Sequence, residues 1–238
     1  MNARALNAVC VAALAACAAG LSLHAESAPP GDGLAPVSSR YLDDLRLRPG
    51  ADFGAYRRIL IDPVPVEFHR NWVRNMITEG RATHKLNAED ASVIARDFAA
   101  SLERNLVGAF KAKGYELEAT PGPGVLRLSP AISELYVNAP DRLLIGRSAM
   151  FVREAGDAVL TLDARDSATG ELLARVVHRG TASSMNRFMR SSDVFTRYWF
   201  DALFSHWATD CAGELARAGK QTRLSRLDEP RSAGGALQ

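Results

Sequence analysis

The chain has 238 residues, with 29 Lys and Arg side chains against 27 Asp and Glu, so its formal net charge is +2. A nucleic-acid-binding domain usually shows a stronger and clustered basic excess, so this balance argues against a nucleic-acid partner. Apolar residues make up 47% of the chain and charged residues 24%, which is the ordinary composition of a globular protein. The length predicts one or two domains.

Residues 1–16 are typical of a lipoprotein signal peptide. Arg4 supplies the positive charge, and residues 5–16 form an apolar stretch shorter than the roughly 20 residues that a membrane-spanning helix needs. The sequence Leu-Ala-Ala before Cys17 matches a lipobox, so we expect the Cys17 thiol to carry a lipid. The alternative is cleavage after Ala25. Both interpretations place the mature protein outside the cytoplasm.

The residues after the leader predict where the protein is held and where folding begins. Ala18 follows the cysteine, instead of the Asp that retains bacterial lipoproteins at the inner membrane, so a lipidated protein is expected at the outer membrane. Otherwise the protein is expected to be soluble in the periplasm. Residues 17–40 are rich in Ala, Ser, Pro and Gly and predict a flexible tether. The folded domain is expected over residues 41–219, and the polar residues 220–238 predict a disordered tail.

The first strand of the domain is expected at residues 59–61, a short apolar run typical of a strand covered on both faces. Asp62 and Pro63 end it, because proline cannot donate to a central ladder. A carboxylate at a strand end is a candidate for catalysis. Capping of the turn at Pro63 is the simpler interpretation of Asp62.

The connector over residues 68–85 shows no clear periodicity and combines Trp72 with Arg70 and Arg74. Aromatic and arginine side chains together are typical of interfaces, so these three residues are candidates for an interaction surface. The alternative is a solvated loop in which Trp72 is the single anchor.

A long amphipathic helix is predicted from Asn87 to Gly114. Asn87 can cap the free amides of the first turn, and Gly114 suits the left-handed position at which helices end. Between them, apolar residues recur every four positions along one face. These residues are Ile94, Phe98, Leu102, Leu106 and Phe110.

Four strands are predicted after this helix, and the first is a short one over residues 115–118. Residues 125–137 form a long strand in which Pro130 suggests a bulge or an edge. One face of that strand is expected to carry Leu126, Leu128, Ile132 and Tyr136. Residues 158–165 and 172–181 alternate in polarity around a turn and predict a hairpin, with its arginines facing solvent. Residues 139–154 fit either a strand or a mobile flap.

A second helix is predicted to begin near Ser192 and to end at Gly219. Its apolar residues recur every four positions and are expected to form core; they are Phe195, Trp199, Leu203, Trp207, Cys211 and Leu215. The loop before it carries Met185, Arg187 and Phe188, which are further candidates for an interaction surface. The element order predicts one α+β domain, with an antiparallel-rich sheet of four to five strands and both long helices packed on one face.

The sequence contains no recognisable catalytic or metal-binding motif. The histidines after the leader are not paired at metal-ligand spacing, and no Gly-x-Ser-x-Gly elbow occurs. Gly122 and Gly124 are separated by proline and lack the Lys-Ser/Thr of a phosphate loop, so they are interpreted as turn residues. Cys211 is most simply a small buried apolar residue. The sequence therefore predicts no catalytic residues, no metal and no cofactor.

The chain resembles domain-of-unknown-function family 3313, a family of predicted bacterial lipoproteins. The resemblance extends over about residues 41–216 and depends on the order and spacing of several short motifs. These are Tyr41-Leu42 followed by Leu45, Leu47 and Pro49-Gly50; Tyr56 before Ile61-Asp62-Pro63-Val64; residues 121–128; Asp166 with Thr169-Gly170-Glu171; and the helix around Trp207. The resemblance implies a lipoprotein and supplies no catalytic residue.

Three functional hypotheses follow. The first is a non-catalytic accessory or scaffold lipoprotein that binds another envelope component through the basic and apolar surfaces around residues 72 and 188. The second is a periplasmic carrier of a lipid or other apolar ligand, held between the sheet and the helices. The third and least favoured is an envelope hydrolase with a dispersed site.

Overall fold

Two long helices lie side by side on one face of an eight-stranded sheet in the computed structural model of the protein. The structure describes residues 32–78, 88–138, 151–152, 154–183, 189–190 and 193–228, which all belong to the unit Gly31–Gln238. Within these residues the helices are α1 (Trp72–Thr78), α2 (Ala88–Ala112) and α3 (Asp193–Asp228), and a 3₁₀ turn covers Phe53–Ala55.

The sheet combines an antiparallel part with a parallel part. Its strands are β1 (Ala35–Val37), β2 (Asp44–Leu47), β3 (Arg58–Ile61), β4 (Val66–Phe68), β5 (Glu116–Leu117), β6 (Val125–Val137), β8 (Glu154–Asp166) and β9 (Leu172–Ser183). The order is β1-β2-β9-β8-β6-β3-β5, and β4 also pairs with β6. The pairs from β1 to β6 are antiparallel, whereas β3 pairs in parallel with β6 and β5, and β4 in parallel with β6. A separate ladder joins β7 (Phe151–Val152) and β10 (Met189–Arg190).

The prediction of an antiparallel-rich sheet of four to five strands therefore gave too few strands, and the sheet is mixed. The reason is the length of the added strands. The strands that were not predicted, β1, β2 and β4, have three or four residues each, too few to show an alternating pattern in the sequence. The short strand predicted at residues 115–118 is confirmed as β5. The long strand β6 and the hairpin of β8 and β9 are confirmed.

One face of the sheet forms the core and the other meets solvent. Ile59, Leu128 and Leu160 on the inner face are fully buried. On the outer face Asp163 lies opposite Arg175, and the Arg175 Nε donates to Asp163 Oδ1 over 2.7 Å. α2 contacts β3, β4 and β5, while α3 contacts β8 and β9. Because α2 and α3 also contact each other, both cover the same inner face.

A bulge in β6 corrects the face predicted for Tyr136. Ser133 lies opposite Val159, and Tyr136 lies opposite Asp157, so β6 has one residue more than β8 between the two pairs. Glu134 adopts a positive φ of 52° there. An extra residue reverses the alternation of the strand beyond it. The inner face therefore continues with Leu135 and Val137, which are 0% and 1% exposed.

Pro130 marks neither the bulge nor an edge, because β6 lies between β8 and β3. It is buried and lies opposite Leu162. On the β3 and β4 side, the Leu128 carbonyl accepts from the Asp62 amide, and the Ile132 amide donates to the Pro65 carbonyl. Pro130 lies between these two bonds and faces the irregular segment that joins β3 to β4. Its missing amide hydrogen therefore costs no ladder bond.

The end of α2 is fixed by a Schellman motif at Gly114, which has a φ of 87°. The Gly114 amide donates to the Lys111 carbonyl over 2.9 Å, and the Tyr115 amide donates to the Phe110 carbonyl over 3.1 Å. The Phe110 and Tyr115 rings meet edge to face, with centroids 5.4 Å apart. The predicted stop at Gly114 is confirmed. The predicted cap at Asn87 lies outside the described residues.

Gly219 does not end the second helix, because α3 continues to Asp228. A side-chain carbon at this position would lie 3.2 Å from the carbonyl carbon and oxygen of Phe53. Gly219 therefore allows α3 to approach the 3₁₀ turn closely. Residues 220–228, predicted as part of a disordered tail, belong to the helix, and residues 229–238 lie outside the described residues.

The predicted tether ends earlier than expected. β1 begins at Ala35 and pairs with β2, so residues 35–37 belong to the sheet. The same segment is fastened to α3, because the Ser39 hydroxyl donates to the Glu214 carboxylate over 3.0 Å. Glu214 is buried, and its carboxylate also lies 2.7 Å from Arg217 Nη1. The contact between Ser39 and Glu214 therefore ties the start of the domain to its last helix. Sequence composition alone could not show this long-range contact.

Candidate functional site

A groove of about 490 Å³ opens to solvent between α2 and α3. All of its lining residues come from these two helices. They are Asp97, Phe98, Ala100, Ser101, Arg104, Arg197, Tyr198, Phe200 and Asp201. We refer to this feature as the helix groove.

The floor of the helix groove is aromatic and its rim is charged. The Phe98 and Phe200 rings lie 4.5 Å apart between centroids. On the rim, Arg197 lies 3.6 Å from Asp97, and Arg104 lies 4.0 Å from Asp201. These two ion pairs are exposed, so they contribute little to stability. They do place both signs of charge on each wall of the groove.

Asp201 holds the two helices in register. Its Oδ1 accepts from the Ser101 hydroxyl over 2.5 Å and from the Asn105 amide over 3.2 Å. Ser101 is buried, so its hydroxyl needs such a partner. The groove is thus built into the packing of the two helices and does not depend on a loop.

The first turns of α3 expose aromatic side chains beside the helix groove. Tyr198 is 68% exposed and Phe195 is 37% exposed. The four-residue stripe predicted Phe195 to be core, which is wrong at this first position. It is confirmed at Trp199, Trp207, Cys211 and Leu215, which are all buried. Burial also raises the pKa of the Cys211 thiol well above its ordinary value, so the thiol stays protonated.

The structure separates the predicted interaction residues of the first connector. Trp72 is fully buried, stacks on Phe68 with centroids 4.4 Å apart, and donates from Nε1 to the Val137 carbonyl over 2.9 Å. Trp72 is therefore a core anchor and cannot present its ring to a partner. Arg70 and Arg74 are exposed on either side of it. The prediction of an aromatic interaction surface at Trp72 is wrong, and an interaction through Arg70 and Arg74 stays a prediction.

The other predicted functional residues fall outside the described part of the chain. Met185, Arg187 and Phe188 of the second candidate surface lie there, as does Cys17. Their roles stay predictions. The groove residues Asp97, Arg104, Arg197 and Asp201 were missed, although the four-residue spacing of Arg197 and Asp201 indicates one helix face.

Asp62 forms a structural ion pair with the neighbouring strand. It accepts from Arg127 Nε over 2.8 Å and from the Ser129 hydroxyl over 2.6 Å. Partial burial opposes ionisation of this carboxyl, but the hydrogen bonds from Arg127 and Ser129 outweigh it, so the pKa of Asp62 lies below its ordinary value. Both oxygens are occupied, which agrees with a structural role for Asp62.

Two residues of the motifs that carried the family resemblance meet in space. The Tyr56 hydroxyl donates to Asp166 Oδ2 over 2.8 Å. Asp166 Oδ1 accepts from the Ala168 and Thr169 amides and the Thr169 hydroxyl. Burial and the bond to Asp166 raise the pKa of Tyr56 strongly, so its hydroxyl stays a donor. These bonds of Asp166 hold the turn between β8 and β9 in place. They give Tyr56 and Asp166 a structural role.

His178 is the described histidine with the closest carboxylate. Its Nδ1 lies 3.1 Å from Asp43 Oδ2, which also accepts the Arg179 amide over 2.8 Å. Among the described residues, no three His, Cys, Asp or Glu side chains lie together as a metal site requires. The Asp43 contact ties the segment before β2 to β9.

Comparison with known proteins identifies a family. The family model described as "Protein of unknown function (DUF3313)" matches residues 30–211. None of the curated proteins matches the chain.

Several solved structures are similar at low identity. A PelC dodecamer from Paraburkholderia phytofirmans is 11% identical, with 70% of this chain and 94% of that chain covered and a TM-score of 0.36. A DUF330 protein from Xanthomonas campestris is 13% identical, with 71% and 89% covered and a TM-score of 0.37. A DUF4136 family protein from Bacteroides thetaiotaomicron is 10% identical, with 83% and 97% covered and a TM-score of 0.28. Scores this low carry no argument about this chain.

In the part of the chain that the structure describes, no helix has both the length and the apolar character needed to span a bilayer.

Replacement of Trp72 by alanine should lower the free energy of unfolding by about 3–5 kcal/mol, because a fully buried ring is removed. Trp72→Phe should cost about 1–2 kcal/mol, since the ring packing is kept and only the donor to Val137 is lost. Val73→Ala on the same helix, at an exposed side chain, is the matched control and should change stability by less than about 0.5 kcal/mol. Urea denaturation measures all three. Equal, small effects of the Trp72 and Val73 variants would show that Trp72 is not an anchor.

Asp62→Asn should lower the free energy of unfolding by about 1 kcal/mol at pH 7. The pKa of Asp62 is depressed in the folded state, so its stabilisation is present above the unfolded pKa of about 4 and is lost as the pH falls through the lower folded pKa. The difference from wild type should therefore shrink between pH 5 and strongly acid conditions, as followed by urea denaturation at several pH values. Glu103→Gln, which alters an exposed carboxylate, is the control. A difference that stays constant with pH would contradict the ion pair.

Proposed function

The chain belongs to the DUF3313 family of proteins of unknown function, and on that premise we propose that it is a non-catalytic accessory or scaffold protein of the bacterial cell envelope. It binds another envelope protein through the helix groove, and a lipid on Cys17 anchors it to the outer membrane. The polar contacts of Asp62, Tyr56 and Asp166 all serve the fold, so these residues need no catalytic explanation.

The exposure of Tyr198 beside the charged rim of the helix groove is the observation that carries this proposal. Two thirds of this side chain is accessible, and Arg104 and Arg197 lie in the same groove. Tyrosine and arginine are the side chains that contribute most often to the binding energy of protein interfaces. A partner that inserts an apolar side chain against Phe98 and places charges on the rim would match this surface.

The rigidity of the helix groove favours binding further. Phe98 and Phe200 are buried beneath it, and Asp201 fixes the register of the helices through Ser101 and Asn105. A surface that is already ordered loses little side-chain and backbone entropy on association. The helix groove therefore offers a partner a preformed site.

The carrier hypothesis finds less support. Among the described residues, only α2 and α3 line the helix groove, which is open to solvent. Beneath the helices, Leu102, Leu106, Phe204 and Trp207 are at most 1% exposed, so side chains fill this part of the inner face. A lipid carrier needs apolar space there instead.

Tyr198→Ala should abolish recovery of the partner when the tagged, lipidated protein is purified from detergent-solubilised envelope, because loss of one interface anchor typically weakens binding at least tenfold. Tyr41→Ala is the matched control, since Tyr41 is also exposed but lies on the segment before β2. Quantitative mass spectrometry of the co-purified proteins compares the two. The proposal fails if the same partners are recovered with both variants, or if wild type retains none.

Cys17→Ala should remove the protein from the outer-membrane fraction, because the thiol that accepts the lipid is lost. Cys10→Ala changes the other leader cysteine and should leave fractionation unchanged. Separation of inner and outer membranes on a sucrose gradient, followed by immunoblotting, measures the distribution. A Cys17→Ala protein that still sediments with the outer membrane would contradict the lipid anchor.

A further inference from the structure

A second and smaller groove lies at the end of the molecule where the 3₁₀ turn, the end of α2 and the later part of α3 meet. Its volume is about 210 Å³. Three cationic residues line it, one from each of these regions: Arg57, Lys113 and Lys220. We refer to it as the basic groove.

Among the residues that the structure describes, no carboxylate lines the basic groove. Elsewhere in the domain cations and acids are interspersed, as Arg127 with Asp62 and Arg175 with Asp163 show. Within the described residues, Arg57, Lys113 and Lys220 form no ion pair with any acidic side chain. Arg57 donates from Nη1 to the Tyr56 carbonyl over 3.1 Å, which orients the guanidinium and leaves its other donors available.

The backbone that carries the three cations is fixed. Lys113 lies directly before Gly114 in the Schellman motif, and Lys220 directly follows Gly219, whose helix backbone touches Phe53. The carbonyl oxygens of Phe110 and Lys111, in the last turn of α2, already accept backbone amides. Neither oxygen is therefore left unpaired where it would repel an anion in the basic groove. The cations are thus held on a rigid frame around a preformed concavity.

Tyr115 adds a neutral donor to this lining. Its ring is buried against Phe110, and burial raises the pKa of its hydroxyl while the charge of Arg57 opposes that rise. The hydroxyl is therefore protonated at neutral pH. Two acids next to residues of this lining are engaged in other contacts: Asp52 accepts the Gly54 amide, and Asp166 accepts the Tyr56 hydroxyl.

We propose that the basic groove binds a phosphate group. Three cations converging from separate elements match an oxyanion with several acceptor oxygens, and charge-assisted bonds to such oxygens are the strong ones. The volume of the basic groove, about 210 Å³, lies below the roughly 300–1,000 Å³ of a typical pocket for a drug-sized ligand, which suits a group as small as a phosphate. The phosphate comes either from a free anion or from a lipid headgroup.

Two probes distinguish these sources, both used on the full chain with Cys17→Ala so that no lipid anchor contributes. Inorganic phosphate is titrated by isothermal calorimetry against a chloride background. Vesicles of phosphatidylcholine, with or without phosphatidylglycerol, are used in co-sedimentation. The test variant is Lys113→Gln with Lys220→Gln, and the control is Lys111→Gln, an exposed lysine on the same helix that does not line the basic groove. Circular dichroism confirms folding of each variant.

The double variant should bind at least about tenfold more weakly than the Lys111→Gln control, because two charge-assisted contacts are lost. Loss of inorganic phosphate binding supports a free phosphate, and loss of binding to the anionic vesicles alone supports a lipid headgroup. The leader is common to all variants and cancels in the comparison. The proposal is overturned if neither probe binds wild type, or if the double variant and the control bind equally. Failure of this test leaves the helix groove untouched, since the two grooves share no residue.

Discussion

The packing of Phe98 against Phe200 and Phe204 is the contact on which the rest of the domain depends. The ring centroids lie 4.5 and 5.9 Å apart, and all three side chains are buried. Each such burial stabilises the fold by about 1.5–3 kcal/mol, whereas a typical hydrogen bond contributes about 0.5–1.5 kcal/mol net. Apolar burial therefore holds α2 against α3, and the bonds of Asp201 select the register in which the two helices meet. The helix groove is a consequence of that register.

The long elements could be predicted because each of them repeats its pattern several times. The stripe of α2 from Ile94 to Phe110 and the alternation of β8 and β9 favour one arrangement, in which the apolar face of each element is buried. The short strands β1, β2 and β4 could not be predicted, because pairing with a longer neighbour decides their structure. The bulge in β6 was hidden for another reason: Glu134 takes the positive φ that sequence reasoning assigns to Gly or Asn. The prediction of a helix end at Gly219 was wrong because glycine also occurs inside a helix where another backbone, here that of Phe53, comes very close.

The candidate site shows a similar division. Trp72 between Arg70 and Arg74 is typical of an interface in sequence, and the same pattern fits a core anchor with solvated neighbours. Only the contacts with Phe68 and Val137 separate these interpretations, and they join residues from different elements. The helix groove could be predicted no better, since its rim pairs residues about one hundred positions apart. Its local signal, charged residues flanking an apolar stripe, is shared by most surface helices.

The two grooves differ in how their charges are balanced, and this difference determines what each can bind. On the helix groove, Asp97 and Asp201 lie near the two arginines of the rim. A ligand there gains little from net charge, so shape and aromatic contact must supply affinity, as in a protein interface. In the basic groove the lysines have no such partners among the described residues, and a bound anion would pay no cost of breaking an existing pair. The helix packing that buries Phe53 and Phe110 thus also brings positive charges together at one end of the domain. Positive charge favours the binding of an anion there.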